Sequence, residues 1–199
     1  ALGFPARLEE RTEVERVCEV DIALRWGTGY ETVTRSFVNI IATPKGVELV
    51  KSFYKLEGGL RAVPTGDSLD LGAGMKLDFF EIPNVHWPET MATFEAKSGA
   101  LFSCDAFGGF GKLGDRVFDD QFSADEHAFY ERETLRYYAN IVSSFSLFVE
   151  RAVQKFQGLQ IRCIAPSHGI VWRKNPMEIV ERYLLGKLFY LIALVMGVP

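Results

Sequence analysis

The sequence predicts an α/β fold, and three observations carry that expectation. Short apolar runs of strand length recur, MKLDFFEIP, ALFSC and IRCIAP among them, each bounded by turn residues. Amphipathic stretches at helical spacing lie between and after them, over VELVKSFYKL, residues 123–157 and PMEIVERYLL. Finally, three apolar runs stop at a residue able to bind a metal: LDFFEIPNV at His86, ALFSC at Asp105 and IRCIAP just before His168. Strands of one sheet end at a common edge, so ligands placed at three strand ends converge as a metal site requires.

Taken in order, residues 14–43 read as a β-hairpin: VCEVDIALRW alternates, GTGY turns, and ETVTRSFVNIIA is rich in β-branched and aromatic residues. VELVKSFYKL is a short amphipathic helix, and GGLRAVPTGDSLDLGAG is a strand-and-turn region punctuated by PTGDS. The strands MKLDFFEIP, MATFEAKSG and ALFSC follow. Residues 108–122 form a glycine-rich loop, acidic at Asp115, Asp119 and Asp120, which either covers the strand ends or is a solvated surface loop. Residues 123–157 are the longest helical stretch, opened by a Ser123/Glu126 capping box, closed at Gly158, and striped with Tyr130, Leu135, Tyr138, Ile141 and Val142 for packing against a sheet. His127, in its first turn, is expected at the surface. After IRCIAPSHG, Asn175 and Pro176 start a last helix over PMEIVERYLL. The apolar run LFYLIALVM closes the chain; it is too short to cross a bilayer, which takes roughly 20 residues. A buried strand or helix, or an interfacial anchor, stays open for it.

Composition narrows the function classes. A chain of 199 residues with 48% hydrophobic residues builds one substantial core. Its net charge of -4, with Lys and Arg scattered, leaves no basic footprint, so no nucleic-acid partner is expected. Cys18, Cys104 and Cys163 are odd in number and widely spaced, which suits reduced thiols in the cytoplasm; no secretory leader is read at the N-terminus. On a regular strand Cys104 points away from Asp105, as a buried thiol rather than a ligand. Trp87 and Trp172, each near a candidate ligand, are expected to wall a pocket or to pack in the core.

The phrases HWPETM, LFSCDAFG and APSHGIVWR, in this order and at these spacings, closely resemble the metallo-β-lactamase-like domain of flavodiiron proteins over about residues 46–185. The resemblance implies a partial metallo-β-lactamase-like αββα sandwich preceded by the β-hairpin segment. It implies di-iron as the metal, with His86 a ligand of one iron, Asp105 the bridging carboxylate and His168 a ligand of the other. The family reduces dioxygen or nitric oxide with electrons from FMN in a fused flavodoxin domain, which is expected to be absent here, leaving an external electron donor. The family's earlier H-x-E-x-D-H cluster is also absent from these residues. A truncated oxidoreductase, impaired or inactive alone, is therefore expected, either marginally stable or a homo-oligomer, because missing strands leave sheet surface open.

The run VDIALRWGTGYETVTRSFVNIIATPKG also resembles part of the transducer domain of the DNA gyrase B subunit. That likeness implies a chimera joined at Lys45-Gly46, with a gyrase-like hairpin over residues 1–46, the flavodiiron-like domain over 47–187 and an apolar tail over 188–199. Without the gyrase family's ATP-binding domain, no ATPase or topoisomerase activity is expected of these residues. Besides the oxidoreductase, two readings stay open: a non-catalytic metal-binding or inert fragment, and an interaction module built on the gyrase-like hairpin.

Overall fold

A computed structural model describes residues 40–56 and 58–195, with side chains to residue 186. The chain divides into two compact units, one ending at Val63 and one starting at Pro64. The first described element is β1, Ile40–Ala42. The rest of the expected hairpin lies outside the described residues. β1 does not pair with a neighbouring hairpin strand among the described residues but runs parallel to β2, Leu60–Ala62, with helix α1, Pro44–Tyr54, between them.

This βαβ unit is formed across the expected join. Thr43 caps α1, its hydroxyl accepting from Gly46 N at 3.0 Å, and Pro44 sits where a helix needs no backbone donor. Lys45 pairs with exposed Glu48 one turn on, at 2.8 Å. The helix thus begins three residues before the expected start at Val47, and Lys45 and Gly46 lie in its first turn. The boundary between units falls after Val63 and not after Gly46.

The second unit is a five-stranded sheet in the order β3-β4-β5-β6-β7. It comprises β3 (Ser68–Gly72), β4 (Met75–Glu81), β5 (Met91–Glu95), β6 (Ala100–Cys104) and β7 (Cys163–Pro166). The first four form an antiparallel meander, and β7 lies parallel to β6. A parallel neighbour needs a long crossover, which the helical stretch supplies. The register aligns Phe94, Leu101 and Ile164 in one row. These residues are buried with Ala92 against Val142, Val149, Ala152 and Tyr183 from the helical layer.

The expected continuous helix over 123–157 is broken. It runs as α2, Ala124–Tyr137, then a π-helical turn, Tyr138–Val142, a 3-10 turn, Ser143–Phe145, and α3, Ser146–Lys155. The cause is local: Asn140 Nδ2 donates to Arg136 O and Ser143 Oγ to Ala139 O, so side chains take carbonyls that the helix ladder would use. The Ser123/Glu126 capping box forms as expected. The last helix, α4, runs over Pro176–Val195, so most of the apolar tail continues it. Among the described residues no helix is long and apolar enough to cross a membrane.

Candidate metal centre

Three strand ends carry the candidate ligands, and the structure brings all three together. His86 Nε2 lies 3.5 Å from Asp105 Oδ2, and His168 Nε2 lies 3.4 Å from Asp105 Oδ1. Each histidine faces a different oxygen of one carboxylate. These separations exceed a good N–H···O hydrogen bond. They match two ligands of one ion: with metal–ligand bonds of about 2.1 Å, donors at a tetrahedral angle stand about 3.4 Å apart. Among the described residues no group of three or more His, Cys, Asp or Glu closes around a single point. The arrangement is one carboxylate flanked by two imidazoles, one beside each of its oxygens.

His86 is presented by a short loop after β4 that folds back on itself. Asn84 N donates to Trp87 O at 2.8 Å, and Thr90 Oγ1 donates to the same carbonyl at 2.7 Å. Val85, fully buried, anchors the loop, while the His86 ring lies near Trp87 and Phe145 at 6.0 and 6.3 Å. Trp87 is 59% exposed, so of the two tryptophans only Trp172 packs in the core.

Asp105 follows a bulge. The β6–β7 register shifts between Phe102 and Cys104, and Cys104 adopts φ 54, in the left-handed region. Strand alternation therefore ends before Cys104, and the expectation that it points opposite to Asp105 loses its geometric basis. Burial, and then the charge of Asp105, push the Cys104 thiol up to about 11, so it is protonated at neutral pH. Cys104 and Cys163 are both free; Cys18 lies outside the described residues.

His168 hangs from the Asp105 turn by backbone bonds: Gly109 N donates to His168 O at 3.1 Å, and Ser167 N to Cys104 O at 2.6 Å. The approach needs glycine. A Cβ on Gly169, whose φ is 83, would stand 2.7 Å from Gly109 N. His86, Gly109, Phe110, Tyr137, Ser167 and His168 line a cavity of about 480 Å³. Burial first, then the negative charge of Asp105, raise the Tyr137 hydroxyl above its ordinary range, so it stays a proton donor at the cavity wall.

Elsewhere the loop and the third histidine differ from expectation. Gly109 and Gly111 do border the cavity. Asp119, however, is neither solvated nor aimed at the site: it is buried and accepts from Arg173 N at 3.0 Å and from Lys174 N. Asp120 pairs with Arg173, which lies over the Phe118 ring. His127 is half-buried, bound through Nδ1 to Glu131 at 3.0 Å and edge-on to Trp172, not free at the surface. Sequence reasoning missed Tyr137 as a cavity residue, because it lies outside the helical stripe and nothing local marks it.

Comparison with known proteins extends this geometry. A family model described as the ODP family beta lactamase matches residues 28–169. The anaerobic nitric oxide reductase flavorubredoxin of Vibrio vulnificus is 42% identical over 138 residues, covering 68% of this chain and 27% of that protein. A flavo di-iron protein mutant from Thermotoga maritima superposes with TM-score 0.69 at 26% identity, over 77% of this chain and 38% of that one. The flavodiiron protein from Giardia intestinalis does so with TM-score 0.68 at 26% identity, over 74% and 35%. The chain thus spans about a quarter of the length of the curated relative, 27%. The family match runs from residue 28 and so includes Lys45-Gly46, and it lends no support to a gyrase B reading of residues 28–46.

Proposed function

Because the chain belongs to the ODP family of beta lactamases, we propose that it is the part of a flavodiiron-type oxidoreductase in which His86, Asp105 and His168 hold two irons. The observation that carries this is the shared carboxylate, with one imidazole nitrogen at ligand-to-ligand distance from each oxygen. When bound, the metal pair supplies electron transfer to dioxygen or nitric oxide. Asp105 fixes the spacing of the two half-sites and offsets part of their charge. His86 is oriented by its closed loop and His168 by the Gly109 bond. The cavity of about 480 Å³ has ample room for a diatomic substrate beside Tyr137.

The relatives are longer than this chain, so the proposal extends to what completes the site. Iron ligands beyond these three would come from an H-x-E-x-D-H segment of the family, and FMN, for which no residue of this chain is assigned, would act as an external donor in the cytoplasm. Measuring dioxygen and nitric oxide consumption by the iron-loaded chain with reduced FMN, alone and mixed with such a segment, tests it. A rate that needs both iron and Asp105 is expected; equal rates in Asp105→Ala or after chelation would sink it.

A non-catalytic metal-binding fragment is the second reading, favoured by the two-group half-sites. It predicts Asp105-dependent metal content with no such rate.

A further inference from the structure

The turn that carries Asp105 is held from outside by side chains of three separate segments. Its three consecutive carbonyls each accept from a different buried donor. Ser103 Oγ donates to Ala106 O at 2.7 Å, Trp172 Nε1 to Phe107 O at 3.3 Å and Tyr183 OH to Gly108 O at 2.7 Å. The donors belong to β6, to the segment after β7 and to α4, and all three are buried. An isolated turn would leave these carbonyls to water, and in this interior they would be unpaired without those groups. Phe107, fully buried at φ 66, is in a conformation that bulky residues rarely adopt, so the turn is over-determined by its surroundings.

Tyr183 stands out among the three. Its ring packs edge-on against Phe107 at 5.2 Å and Tyr138 at 5.1 Å, which leaves the hydroxyl one direction, toward Gly108. Gly108 precedes Gly109, the residue whose N–H holds His168. A Cβ on Gly108 would lie 3.2 Å from both Asp105 O and His168 O, so this point touches both ligand loops at once. Burial keeps the phenol protonated and hence a donor.

We infer that Tyr183 is a positioning residue of the metal centre, its hydroxyl setting the Asp105 carboxylate and the His168 loop relative to each other through the Gly108 carbonyl. The assignment of what binds there rests on the proposed function, but the positioning itself does not. Groups that orient ligands typically change metal affinity about 10- to 100-fold when removed.

The test compares Tyr183→Phe with Tyr130→Phe, which removes the same kind of bond, Tyr130 OH to Lys112 O at 2.8 Å, away from the turn. Imidazole 15N NMR of the metal-free chain reads the three histidines separately. In Tyr183→Phe the His86 and His168 signals should move while His127 holds, and amide exchange at Gly109 should accelerate about tenfold or more, as for a hydrogen bond loosened by over 1 kcal/mol. Tyr130→Phe should leave all of these unchanged. If Tyr183→Phe does not fold, Ser103→Ala frees the Ala106 carbonyl of the same turn with loss of one oxygen and carries the same expectation. Unchanged His86 and His168 signals and Gly109 exchange in a folded variant, or equal changes in Tyr130→Phe, would overturn the inference. A Co2+ titration alongside separates the two claims. Weaker Co2+ binding and a shifted visible spectrum in Tyr183→Phe alone support both, whereas a parent that binds no Co2+ counts against the metal reading and leaves the NMR result to decide the positioning.

Discussion

The Asp105 turn and the His168 loop face each other across two backbone hydrogen bonds, yet they are built on opposite plans. Asp105 has a side chain 13% exposed and follows a bulge in β6, with Ala106 and Phe107 fully buried behind it and side-chain donors on three carbonyls. His168 has a side chain 58% exposed, and its loop is held by backbone bonds to the Asp105 turn. The carboxylate is therefore fixed by the core, and the histidine is fixed by the carboxylate's turn. Mutations on the two sides should differ accordingly, the first in stability and the second in ligand geometry.

The largest expected effect is on the fixed side. Trp172→Ala removes a buried indole and the donor to Phe107 O together, and should cost roughly 3–5 kcal/mol in urea unfolding. A loss below about 1 kcal/mol, the size of a surface change, would show that the turn is not core-anchored.

Gly169→Ala comes next and acts at the seam. Its Cβ would meet Gly109 N at 2.7 Å with φ at 83, so the loops must part. We expect a loss of about 1–3 kcal/mol, with faster exchange of the Gly109 amide. His168→Ala, by contrast, removes an exposed ring and should stay within about 0.5 kcal/mol of the parent. If the two variants unfold alike, the comparison fails.

The smallest effect lies away from both loops. Glu95, at the far end of β5, accepts from Lys97 N and Ser98 N, and its bonds to Ser98 lead in holding its carboxyl down to about 2. A carboxyl lowered in the folded state contributes stability that is present above its ordinary value of 4.5 and is lost as the pH falls toward 2. Melting temperature should therefore decline over that window in the parent and decline less in Glu95→Gln, with the site residues untouched. An equal decline in both would remove Glu95 as its cause.

The sheet and the meeting of His86, Asp105 and His168 were legible in the sequence because both follow from local pattern. Apolar runs mark β4 to β7, and His86, Asp105 and His168 sit where those runs stop. Features that depend on distant partners were not legible. Tyr183 is separated from Gly108 by 75 positions and reads as one more apolar residue of α4. Asp119 looks like a surface acid until Arg173 and Lys174 are folded back onto it. The break after Tyr137 depends on Asn140 and Ser143 turning their side chains to carbonyls four residues back, a choice their residue types permit but do not force. The gyrase-like reading gains no support from the family match over residues 28–46, for a related reason. A short strand with β-branched residues, such as IIA, suits many folds, and its partner here, β2, follows only after α1.

The central claim is that Asp105 joins two metal half-sites, and metal content tests it most directly. Iron and zinc should be counted in the purified chain after anaerobic loading, beside Asp105→Ala carried through the same steps. The account predicts about one to two metals per chain, as expected for half-sites bridged by one carboxylate, and loss of that metal in the variant. Metal no higher in the parent than in Asp105→Ala would contradict it, and the meeting of His86, Asp105 and His168 would then be a feature of the fold without its chemistry.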